Sequence, residues 1–101
     1  MKNDDQFERV FVALVAERVE DMGMSHAEFG RRVFGGGDSG VRLWRSVRDV
    51  DGRGRRLTIG EAYRMAEALG TDFPSLVWNL CQSARNRGML PQDKSEQRNG
   101  N

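Results

Sequence analysis

The chain contains a single cysteine and a single histidine. Lone Cys81 excludes an intramolecular disulfide and reads as a small core or interface residue; lone His26 argues against a histidine-based metal site. No apolar run approaches the length of a membrane span, and the charged start MKNDDQ does not resemble a signal peptide, so a cytoplasmic location is expected. No segment alternates apolar and polar residues as a half-buried strand does. No nucleophile–base pair, carboxylate pair or cysteine/histidine ligand set stands out, so neither an enzyme nor a bound cofactor or metal is expected. The run GGGDSG invites comparison with nucleotide-binding loops, but no Gly-Lys-Ser/Thr follows it and no strand-like run precedes it.

What remains is a helical pattern. With 101 residues, 38% of them hydrophobic, the chain can fill one modest core. Phe7, Val10, Phe11, Leu14, Val15, Ala16, Val19 and Met22 recur at three- and four-residue intervals with charged residues between them, which predicts an amphipathic first helix ending at Gly23. In MSHAEF, Ser25 is placed to cap a second helix, Glu28 to close a capping box, and Met24 to staple against Phe29. After the glycine turn, Asp38 or Ser39 is the expected cap of a third helix, VRLWRSVRD, with Val41, Trp44 and Val47 facing the core. In LTIGE, Thr58 and Glu61 repeat the box signals. Tyr63, Met65, Ala66, Ala68 and Leu69 then give a fourth helix its apolar surface, until Gly70. A fifth helix starts at Thr71 or Asp72 with Pro74 in its first turn, and Trp78 is read as a core residue or, if exposed, as a dimer patch. The expected domain covers residues 1–82, followed by a polar tail over 83–101.

Charge is distributed unevenly along this pattern. Residues 1–30 hold three basic and seven acidic side chains, residues 31–56 eight and three, and residues 57–101 five and five, for local charges of −4, +5 and 0. The positive segment coincides with the second helix, the glycine turn, the third helix and its following loop, as a phosphate-facing surface would require. Fourteen of the sixteen basic residues are arginine, whose planar fork suits phosphate and guanine edges. Two short helices joined by a small-residue turn allow one of them to enter the major groove of DNA.

The order of helix, GMSHAEFG, glycine turn, VRLWRSVR, loop and LTIGEAYRMAEALGTDFPSLV resembles the lambda-repressor-like (Cro/repressor, XRE-type) DNA-binding domain over about residues 7–80. The resemblance implies an all-α, five-helix helix-turn-helix fold and a transcriptional regulator that binds double-stranded DNA. It also implies that Gly30 is the small residue packed against the recognition helix. Two departures stand out. The family often carries Gln where this chain has His26, at a position that contacts phosphate and buttresses the recognition helix. Aligning Trp44 and Val47 with its apolar positions also requires several extra residues around Gly35 to Ser39.

On this reading Ser39, Gly40, Arg42, Arg45 and Ser46 face base edges, while His26, Arg31, Arg32, Arg48, Arg53, Arg55 and Arg56 hold the DNA backbone. Phe73, Val77, Trp78 and Cys81 are the expected homodimer contacts, because the fifth helix carries apolar residues on more than one face. The alternative is a helical protein-interaction module such as an antitoxin or adaptor. RNA binding has no support, since exposed aromatics for base stacking are not evident.

Overall fold

The computed structural model describes residues 2–49 and 55–91. Among them are five helices and no strand: α1 (Lys2–Asp21), α2 (His26–Phe34), α3 (Asp38–Val47), α4 (Ile59–Ala68) and α5 (Phe73–Asn86). No described helix is long and apolar enough to cross a membrane.

Helix α1 buries Phe11, Val12, Leu14, Val15 and Val19, whereas Phe7 and Met22, at the ends of the expected apolar stripe, are exposed. It ends where Gly23 takes a φ of 76°. At the start of α2 the Ser25 hydroxyl accepts the Glu28 backbone N–H at 3.0 Å. The reciprocal half of the expected box does not form. The Glu28 carboxylate instead accepts from Arg32 Nε at 2.8 Å and lies 3.8 Å from Arg31, drawn by two cations one turn further on.

Helix α3 begins three residues before the expected start at Val41. Gly37, with a φ of 84° that favours glycine, is its N-cap and makes no side-chain bond, so Asp38 and Ser39 lie inside the first turn rather than capping it. Gly35, Gly36 and Gly37 alone join α2 to α3; of the stretch from Gly35 to Ser39 where the family alignment needs extra residues, Asp38 and Ser39 are helical. Trp44 is fully buried, Val47 packs against the core and Val41 is only half-buried.

Helix α4 has the full reciprocal box: Thr58 Oγ1 accepts the Glu61 N–H at 3.1 Å, and Glu61 Oε1 accepts the Thr58 N–H at 2.9 Å. Met65 and Ala66 are fully buried, but Tyr63, expected on the apolar surface, is exposed beside Phe73. Helix α5 runs past Gln82 to Asn86; Ala84 is fully buried, and Met89 and Leu90 pack against the core. The expected tail boundary at residue 83 therefore falls inside the folded unit, while residues 92–101 lie outside the described ones. Trp78, read as a core residue or a dimer patch, is 63% exposed. Arg87 donates to both carboxylate oxygens of Glu17, at 2.8 and 3.0 Å, and fastens α5 to α1.

One core unites all five helices. Val15, Phe29, Trp44, Met65 and Leu76 are fully buried, one from each helix, and each contributes roughly 1.5–3 kcal/mol by leaving water.

Candidate nucleic-acid interface

The surface formed by α2, the glycine turn and α3 rests on a close backbone approach. Gly30 of α2 meets the first turns of α3 so tightly that a Cβ added there would stand 2.8 Å from the Gly40 carbonyl oxygen and 3.0 Å from Trp44 Cβ. A Cβ on Gly40 would collide with the Gly35 carbonyl. Gly40 is therefore a buried crossing point and presents no surface to a base edge, contrary to its expected role.

Helical spacing puts Asp38, Arg42 and Arg45 on one outward face of α3, and all three are exposed. Among the described residues, neither Arg42 nor Arg45 joins an ion pair or side-chain hydrogen bond, so both guanidinium groups are available. Ser39 is exposed at the first turn. Ser46 is turned away from that face: it is half-buried, and its hydroxyl accepts the Arg55 backbone N–H at 3.1 Å.

The residues expected to hold a nucleic-acid backbone divide into three groups. Arg31 and Arg32 are exposed on α2 and share the Glu28 carboxylate. Arg55 and Arg56 are tied internally. Arg55 donates to both oxygens of Glu61, at 2.9 and 2.6 Å, and lies 5.6 Å from the Phe34 ring centroid. That bond holds the Glu61 carboxyl below the usual range and raises the Arg55 guanidinium, so Arg55 is a strut between the α3–α4 loop and the start of α4. Arg56 donates to Glu8 at 2.6 Å, whose second oxygen accepts the Leu57 N–H at 2.7 Å. The third group is His26 and Arg48, which converge on Trp44. Arg53 lies outside the described residues.

His26, expected on the DNA backbone, is half-buried and tied to α3 and α1. Its Nδ1 accepts from Trp44 Nε1 at 3.1 Å, and its Nε2 lies 2.9 Å from Glu20 Oε2. For Nδ1 to accept, the ring must carry its proton on Nε2 and donate it to Glu20. The Arg48 guanidinium covers the Trp44 ring, 5.2 Å from its centroid.

Local reading missed Arg64, because it belongs to α4. Its Nε donates to the Val33 carbonyl at 2.8 Å, satisfying the C-terminal end of α2 beside the glycine turn. The Trp44–Arg48 spacing of four was visible in the sequence, whereas nothing there placed Glu20 next to His26.

Of the expected dimer contacts, Phe73, Val77 and Cys81 are half-buried and Trp78 is exposed. Phe73 and Val77 also line an apolar groove of about 370 Å³, together with Phe7, Phe11, Leu57 and Ile59. Among the described residues no group of three or more metal-ligating side chains gathers. Compared with family models, curated proteins and solved structures, the chain matches none.

Proposed function

We propose that this chain binds double-stranded DNA as a helix-turn-helix regulator of the lambda-repressor type, with α3 in the major groove. The observation that carries the reading is the outward face of α3. Arg42 and Arg45 stand there without carboxylate partners, on a helix locked to α2 across a three-glycine turn. Turns of this length join the two helices of known DNA-binding motifs. Ser39, Arg42 and Arg45 then reach base edges, and Arg31 and Arg32 of α2 lie toward the flanking phosphates.

One α3 reads few base pairs, so we further propose a twofold dimer that sets two such helices roughly 34 Å apart. The exposed indole of Trp78, beside Val77 and Phe73 on α5, supports that interface.

The test is selection of bound duplexes from random or genomic DNA by the purified protein, followed by titration of the winning sequence at several salt concentrations. The reading requires an enriched sequence and an affinity that falls steeply as salt rises. Absence of enrichment, with no salt-dependent binding to any duplex, overturns it.

A second reading, a protein-interaction module, draws on the apolar groove and on Ile59 and Tyr63, which are 78% and 54% exposed near it. Salt-insensitive capture of one defined protein, without DNA binding, would favour that reading.

A further inference from the structure

Arg48 is held in a way the fold itself does not require. It is the C-cap of α3, half-buried, and its Nε is fully shielded without a hydrogen-bond partner. Its terminal nitrogens are not shielded, and among the described residues they meet no acceptor and no ion-pairing carboxylate. Burial lowers its pKa most, the neighbouring charge of Arg45 lowers it further, and Glu20 opposes the shift. A partly desolvated cation beside a second cation, with one N–H orphaned, is a destabilising arrangement in the free protein.

Its surroundings nevertheless fix its place. Trp44, whose ring it covers, is fully buried, with the Phe29 ring edge-on at 5.0 Å between centroids. The indole is also tied through His26 to Glu20, so a chain of contacts runs from the end of α1 to the end of α3. Glu20 is engaged by His26 and forms no ion pair with Arg48, and Arg45 is a second cation near Arg48. A guanidinium seated over an aromatic ring with its outer nitrogens free can donate two parallel bonds to an anion with paired oxygens.

We propose that Arg48 is a phosphate clamp for the nucleic-acid backbone, assisted by Arg45, and that Trp44 and His26 are positioning residues that hold its guanidinium plane. The proposal rests on the reading of α3 as a DNA-binding helix, and adds to it a specific phosphate site and the residues that align it.

Two measurements test it on the full chain. In the first, affinity for a random-sequence duplex is followed against salt. Arg48→Ala should weaken binding about tenfold on every sequence and flatten the slope of log affinity on log salt by about 0.9, the share of one phosphate. Arg48→Lys should keep the slope and still lose affinity, because the charge stays and the fork goes. His26→Gln, whose amide oxygen can accept from Trp44 Nε1, should bind as the parent does. His26→Leu should lose affinity at unchanged slope. In the second, the Arg48 Nε–Hε resonance is followed by NMR as inorganic phosphate or a short duplex is added; a saturable shift with both is expected. If the duplex binds but the slope of Arg48→Ala and the Arg48 resonance are unchanged, the clamp is overturned and the DNA reading survives. If phosphate moves the resonance but no duplex binds, the site takes a free phosphate group, and both the DNA reading and the backbone assignment fall. If no duplex binds and phosphate leaves the resonance unmoved, the clamp and the reading fall together.

Discussion

Gly30 and Gly40 face each other where α2 crosses α3, and a single added carbon on Gly30 would stand 2.8 Å from the Gly40 carbonyl oxygen. The obstacle is backbone, so it cannot swing aside. Gly30→Ala should gain about 1 kcal/mol of helix propensity yet lose roughly 1–3 kcal/mol by forcing the helices apart, a net destabilisation. Gly60→Ala is the internal control: Gly60 lies in α4, and nothing stands within 4 Å of its added Cβ. That variant should be neutral or more stable by roughly half a kcal/mol. Denaturant titration of both compares the signs; two variants of equal stability would refute the packing argument.

Removal of the Trp44 side chain should be the most damaging of these changes. Trp44→Ala loses a fully buried indole, its bond to His26 and its contacts with Phe29 and Phe34, at a cost of roughly 3–5 kcal/mol. Thermal melting followed by circular dichroism reads the loss directly, and a curve close to the parent's would contradict the burial.

Acid should weaken the domain through Glu61. Its carboxyl is held below its ordinary value of 4.5, first by the hydrogen bond from Arg55 and then by the Thr58 backbone. A folded-state pKa below the unfolded one gives stability that is complete above about pH 4.5 and lost as pH falls through the folded value. Urea midpoints measured from pH 6 down to pH 3 should therefore fall. In Glu61→Gln the fall should be shallower, from a lower starting stability. A parallel profile in the variant would remove Glu61 as the cause.

Arg42→Ala should change which sequences are preferred, because a guanidinium fork on a base edge discriminates by roughly 1–3 kcal/mol. Arg31→Ala should weaken all duplexes alike. Selections with the two variants compare them, and identical sequence profiles would show that α3 does not read bases through Arg42.

Dimerisation through α5 should depend on Trp78, whose indole is 63% exposed. Sedimentation of the parent at micromolar concentration should give a dimer, and Trp78→Glu a monomer. A monomeric parent, or a dimeric variant, refutes the interface.

The local chemistry of this chain was legible where a signal and its partner lie within one turn. Ser25 and Thr58 cap the helices they precede, and the Thr58–Glu61 box closes on itself. Gly37 shows where such reading fails: Asp38 and Ser39 are good caps, yet the chain starts α3 from a glycine, because Gly40 must fall on the crossing with Gly30. That register is a tertiary demand with no local trace. The candidate site fared similarly. Arg42 and Arg45 face outward as their spacing requires, but nothing in sequence separates them from Arg55, whose partner Glu61 becomes a neighbour only after the loop has folded back. Trp78, whose indole favours a place in the core, and Tyr63, on the expected apolar surface of α4, are exposed, while Ala84 and Met89, further along, complete the core.

Arg55 binds Ser46 through its backbone and Glu61 through its side chain, so the last turn of α3 is tied to α4 as well as its first turn to α2. A helix secured at both ends has little conformational entropy left to surrender when a ligand meets it. Association through α3 should therefore show a heat-capacity change set by the contact area alone, without the added contribution of a segment that folds on binding. Its encounter rate should follow charge and diffusion, with no slow rearrangement limiting it at high ligand concentration.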